Sequence, residues 1–198
     1  ATALCAAAGR KAARELAEAL QKSTLGELAG RRFHGEQICD FTTAPGAAVA
    51  EPVTHMAFGY ATQVVVLAED GRIERVVAAH DVGRAINPLA CVGQIEGAVH
   101  MGLGYALSED FPCTSGRPGT LSIGELGILR AAHTPPIEVI LLEVPDRHGG
   151  YGAKGVGEIG LVPTAPAIAA ALRAWDGRWR NALPMSDCPA AKASLPRR

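Results

Sequence analysis

Three features of this 198-residue sequence predict a mixed α+β fold in which a hairpin-containing sheet is packed by helices. The first is the stretch YATQVVVLAEDGRIERVVAAHDVG, where two β-branched runs flank Asp70-Gly71, a strong hairpin-turn signal. The second is a pair of helical patterns, over residues 91–109 and 164–175. The third is IEVILLEV (137–144), a continuous apolar run that predicts a buried strand.

In chain order, residues 4–20 predict an amphipathic helix. Ala12, Ala13, Leu16, Ala19 and Leu20 share one face, and Lys11–Glu15 and Arg14–Glu18 are spaced for i,i+4 pairing. A helix opening at the first residues without a cap suggests a chain cut from something longer. TLGELAG (24–30) reads as a break and RRFHGEQICDF (31–41) as a short strand. TTAPGAAVAEP (42–52) is a Pro/Gly/Ala-rich loop, which divides the chain into an N-terminal helix and linker (1–50) and a C-terminal subdomain (51–198). In the hairpin, VVVL lacks alternation and predicts a strand covered on both faces.

Asn87-Pro88 reads as a break before CVGQIEGAVHMGLGYALSE (91–109). Here Val92, Ile95, Val99 and Leu103 have helical spacing, yet Gly93, Gly97, Gly102 and Gly104 interrupt it. Each glycine costs a helix roughly 1 kcal/mol against alanine. Close packing against another helix, or against a bulky ligand, would offset that cost. Gln94 lies at the opening of the element, with an amide that both donates and accepts. Residues 112–136 read as loop with one short apolar piece.

The densest chemistry lies in GGYGAKGVGEIGLVPTAPAIAAALR (149–173): a glycine-rich loop holding the carboxylate Glu158, then an Ala-rich helix. Thr164 suits its N-cap and Pro166 its first turn. A helix start carries free N–H groups and partial positive charge, so Glu158 lies near an anion site. Two readings stay open from these residues alone: a ligand loop with a poised base, or a plain strand-to-helix connection. The loop lacks the Gly-Lys-Ser/Thr of a phosphate-binding P-loop and the glycine spacing of a dinucleotide fingerprint.

Composition excludes several classes. Net charge −1, without clustered Lys or Arg, argues against a nucleic-acid surface. No apolar run is long enough to span a bilayer, and the N-terminus lacks signal-peptide character. Cys5, Cys39, Cys91, Cys113 and Cys188 are scattered without a CxxC pair, as in a reducing, cytoplasmic compartment. His34, His55, His80, His100, His133 and His148 show no metal-ligand spacing, so no protein metal-ligand set is expected. No GxSxG elbow is present. Trp175 and Trp179 read as packing aromatics rather than a binding cage.

DVGRAINPLACVGQIEGAVHMGLGYALSED together with YGAKGVGEIGLVPTAPAIAAAL resembles the molybdenum hydroxylases, the xanthine dehydrogenase and aldehyde oxidase family. The resemblance covers the C-terminal part of their molybdenum-cofactor-binding region, from about Tyr60 onward. ILRAAHTPPIEVILLEVPD is most similar to the bacterial selenium-dependent xanthine dehydrogenases. It implies that Glu158 is the general base and that Gln94 hydrogen-bonds an oxo ligand of the molybdenum centre. The backbone at Gly155, Val156 and Gly157 would lie against the pterin. The implied cofactor is molybdopterin, as such or as its cytosine dinucleotide, which holds the metal through its own sulfurs.

The implied reaction is oxidative hydroxylation of a purine-like heterocycle or an aldehyde with water-derived oxygen. Iron–sulfur clusters and FAD are expected on other domains or subunits, alongside the remainder of the molybdenum subunit. The alternative is a catalytically silent fragment or a cofactor-handling module that keeps the fold.

Overall fold

The computed structural model describes residues 2–40, 42–55 and 57–194. By contact density the chain forms two compact units. The smaller comprises Ala1–Gly59, Asp81–Ile86 and Glu143–Gly155; the larger comprises Tyr60–His80, Asn87–Leu142 and Val156–Arg198.

In the larger unit, β1 (Ala61–Leu67) and β2 (Ile73–Asp81, whose last residue belongs to the smaller unit) form the expected antiparallel hairpin. Gly71 takes φ +79°, which favours glycine, and Asp70 Oδ1 accepts the Arg72 N–H at 3.1 Å. Trp175 packs over this turn: its indole N–H donates to the Glu69 carbonyl at 3.0 Å. Trp179 is stacked by the Arg173 guanidinium, 3.6 Å from the ring centre.

The sheet order is β1-β2-β5, with β5 at Ile137–Leu142. Helix α2 (Pro88–Leu107) packs against β5, and α3 (Thr164–Asp176) against β1 and α2. Ile95, Val99, Leu103 and Leu107 of the predicted α2 stripe are buried, as are Val76 of β2 and Ile168 of α3. Burying each such side chain contributes about 1.5–3 kcal/mol. A two-residue ladder, β3 (Cys113–Thr114) with β4 (Arg117–Pro118), and α4 (Pro189–Ser194) complete the unit.

Several expectations are corrected. Neither apolar strand is covered on both faces: β1 alternates, with Val64 54% exposed, and on β5 Ile140 and Leu142 are exposed too. These are the outer strands of a three-stranded sheet, so β-branched content here reflects propensity as much as burial. Asn87-Pro88 is not a break but the start of α2. Asn87 Oδ1 caps the Ala90 N–H at 3.0 Å, and Pro occupies the first turn. Gln94 therefore sits nearly two turns into the helix. Thr164 is not an N-cap but the first residue of α3. The preceding turn already pairs its N–H with Leu161 O at 3.1 Å, freeing the hydroxyl to donate back to Gly160 O.

In the smaller unit, α1 (Thr2–Leu20) packs on the short helical turn Gly150–Gly152. Residues 31–40 form no strand; Phe41, the last residue of that expectation, lies outside the described residues. The segment crosses α1 at Gly35, where a Cβ would meet the Ala8 carbonyl oxygen at 2.0 Å. Lys11 Nζ accordingly donates to the Glu36 carbonyl at 2.7 Å, a partner its spacing to Glu15 did not suggest.

Candidate functional site

The glycine-rich loop divides by role. At its start, backbone folds on backbone: a Cβ at Gly149 would lie 1.9 Å from Ala153 O, and Tyr151 and Gly152 take φ +59° and +83°. Val82 O accepts the Lys154 N–H at 3.0 Å, and Gly152 O accepts from Arg84 N at 2.8 Å and Asp146 N at 3.0 Å. Within the same unit Lys154 Nζ lies 2.5 Å from Asp81 Oδ2, both side chains nearly inaccessible. Burial alone would raise the Asp81 carboxyl. Hydrogen bonds from Lys154 and from the N–H groups of Gly83 and Val144 outweigh that and hold it below the ordinary carboxylate value. Sequence reasoning missed this clip. The available signal was a lysine inside an otherwise apolar glycine loop, which needs a counter-charge.

Gly155, with open space where its Cβ would be, is the last residue of the smaller unit; Val156, Gly157 and Glu158 belong to the larger. There Gln94 Nε2 donates to the Gly157 carbonyl at 3.4 Å, so α2 brings its amide to the residue preceding Glu158. Glu158 is exposed, and its carbonyl accepts the N–H groups of Leu161 (3.1 Å) and Val162 (3.4 Å) in the turn that leads into α3. A Cβ at Gly160 would meet Ala98 Cβ at 2.6 Å, so the turn is seated on the α2 backbone.

The four α2 glycines differ in their surroundings. Gly102 faces Thr164, whose Cβ would be 2.5 Å from an added methyl, and Gly104 faces the Glu109 side chain. Gly93 and Gly97 face open space, on either side of Gln94 in sequence, as does Gly157. Bare backbone beside a side-chain amide admits a flat, polar ligand at close range. Among the described residues no group of three or more His, Cys, Asp or Glu is placed to hold a metal ion. An open crevice of about 400 Å³ lies elsewhere, between the hairpin turn and residues 129–135. No helix among the described residues is long and apolar enough to cross a membrane.

Residues 1–135 match a family described as the molybdopterin cofactor-binding domain. That match begins well before Tyr60, where the motif resemblance starts, and stops short of the glycine-rich loop. A probable xanthine dehydrogenase subunit from Bacillus subtilis (strain 168) is 32% identical over 76% of this chain and 20% of its own length. The gamma subunit of the 6-hydroxypseudooxynicotine dehydrogenase complex of Paenarthrobacter nicotinovorans is 39% identical over 51% of this chain and 13% of its own. The chain thus spans a fifth or less of these curated relatives. The crystal structure of the aldehyde oxidoreductase from Desulfovibrio desulfuricans ATCC 27774 superposes on 98% of this chain and 22% of that one. Its TM-score is 0.75, at 26% identity. With more than half its length matched by that family and its fold shared with such an enzyme, the chain belongs to the molybdopterin cofactor-binding domains of the xanthine dehydrogenase and aldehyde oxidase type.

Proposed function

We propose that this chain is the part of a molybdenum hydroxylase in which Glu158 is the general base. Gln94 and the backbone of Val156 and Gly157 border the cofactor. The supporting observation is the Gln94–Gly157 contact, which brings the amide of α2 to the loop carrying the only carboxylate in its glycine-rich stretch. When bound, the molybdopterin centre supplies two-electron oxidation and delivery of a water-derived oxygen to an electron-poor carbon.

The chain's own residues do the remaining work. Glu158, exposed at the start of its turn, takes up a proton at its carboxylate as the attacking oxygen loses it. The Gln94 amide offers Nε2 as a donor and orients the group it faces. Gly93, Gly97 and Gly157 let the ligand approach backbone that any side chain would hold off.

The substrate class is a purine-like heterocycle or an aldehyde. Electrons leave through iron–sulfur and flavin groups on other domains or subunits, in the cytoplasm.

Glu158→Gln keeps size and hydrogen bonding but cannot take up the proton. Cofactor content is expected to stay near wild type while kcat falls about 10²–10⁴-fold. A kcat close to wild type refutes the assignment. Gln94→Ala is expected to change both the absorption spectrum of the metal centre and the rate; an unchanged spectrum removes Gln94 from the site.

A further inference from the structure

Behind the Glu158 turn, inside the larger unit, two buried polar side chains meet. Gln63 on β1 is 9% exposed and His80 on β2 is fully buried. Gln63 Nε2 lies 2.7 Å from Gly160 O and 3.2 Å from His80 Nε2. A carbonyl oxygen requires a donor, so the NH₂ end of the amide faces Gly160, and its second N–H is directed at His80. His80 Nε2 is then the acceptor, and the imidazole is neutral with its proton on Nδ1. Burial agrees, pushing the imidazole below its ordinary pKa. The arrangement leaves Gln63 Oε1 and His80 Nδ1 buried without hydrogen-bond partners. Orphaned polar atoms are costly, and an apolar pair would be more stable here, unless the hold on Gly160 has a use.

Gly160 stands two residues after Glu158 in the same hydrogen-bonded turn. Its carbonyl also accepts from Thr164 Oγ1 at 3.3 Å, and a Cβ placed on it would meet Ala98 Cβ at 2.6 Å and Ile95 Cα at 3.4 Å. We propose that Gln63, its amide oriented by His80, is a positioning residue: by gripping the Gly160 carbonyl it fixes the turn that aims Glu158. The role rests on the general-base reading of Glu158.

Gln63→Met keeps side-chain length and removes the donor, while His80→Leu removes the acceptor that orients it. Hydrogen exchange followed by mass spectrometry, on the purified protein with cofactor and any partner subunits bound, reads the turn directly. Exchange at Leu161, Val162 and Thr164 is expected to rise about tenfold in each single variant, the size of one lost net hydrogen bond. The double variant is expected to show no further rise, and the α2 and α3 core amides no change. In the same variants kcat falls while KM and cofactor content hold. Should an apolar variant fail to fold, Gln63→Asn, with an amide one methylene too short, is expected to give the same response.

Unaltered exchange in the turn, equal acceleration throughout α2 and α3, or additive effects in the double variant each overturn the proposal. The two readings fail differently. A loose turn in Gln63→Met with full kcat, while Glu158→Gln is inactive, overturns the positioning role alone. Wild-type kcat in Glu158→Gln removes the general base and this role with it.

Discussion

At the scale of single residues, the Asp81–Lys154 pair shows how the start of the glycine-rich loop is pinned. With side chains 4% and 8% exposed, neither charge is satisfied by solvent. Removing one partner of such a buried pair costs about 3–5 kcal/mol, because the other charge is left stranded. Lys154→Met is therefore expected to lower the denaturant midpoint substantially, and the Asp81→Asn, Lys154→Met double variant less than the sum of the singles. The pH dependence follows from the depressed carboxyl of Asp81. Its contribution is fully present above the unfolded carboxylate value of about 4 and is lost as pH falls through the lower folded value. Unfolding measured from pH 7 downward should show a constant gap between wild type and Asp81→Asn until that range, then convergence. A gap that closes near pH 6 contradicts the assignment.

At the scale of elements, α2 carries two kinds of glycine that one sequence pattern cannot separate. Gly102 meets Thr164 at the start of α3, so Gly102→Ala forces the two helices apart. Overpacking of about 1–3 kcal/mol outweighs the roughly 1 kcal/mol gained in helix propensity. Gly97 faces open space, and Gly97→Ala should stabilise the unit by up to about 1 kcal/mol. On the cofactor reading the same methyl stands where the ligand approaches, so bound molybdopterin should fall even as the melting temperature rises. Opposite movement of these two readouts in one variant is the signature; a rise in both sinks the cofactor wall at Gly97. Element types were legible wherever periodicity and turn chemistry agreed, as at Asp70-Gly71 and along Ile95, Val99 and Leu103. What stayed hidden depended on hydrogen bonds and strand positions that the residue pattern does not specify. Asn87-Pro88 signals both a break and a helix start. Thr164 loses its cap role to a turn that pairs its N–H first, and the exposure of Val64 depends on β1 being an outer strand. Glu158 and Gln94 stand out by motif, whereas the pairs Asp81–Lys154, Gln63–His80 and Gln63–Gly160 are joined only by tertiary contacts 73, 17 and 97 residues apart in sequence.

At the scale of the whole molecule, the surface around Gln94 and Gly157 is too open to enclose a cofactor. Gln94, Gly93, Gly97, Gly157 and Glu158 are all exposed. Sites for ligands of this size bury roughly 70–90% of the ligand. On the proposed reading this surface would form one side of such a site, and the chain spans 20% of the Bacillus subtilis relative and 22% of the Desulfovibrio desulfuricans enzyme. The proposed function then predicts that the cofactor is enclosed only together with the remainder of the molybdenum subunit. Two outcomes of one experiment separate a catalytic portion from a self-contained cofactor-handling module. The chain is expressed alone, and again with the remainder of the molybdenum subunit, and bound molybdopterin is measured by mass spectrometry after gel filtration. Cofactor retained only in the second case is expected, because an open wall holds it with too little buried area to survive dilution. Stoichiometric cofactor on the chain alone would mean that this surface closes on its own, and the cofactor-handling reading would then take precedence over the catalytic one.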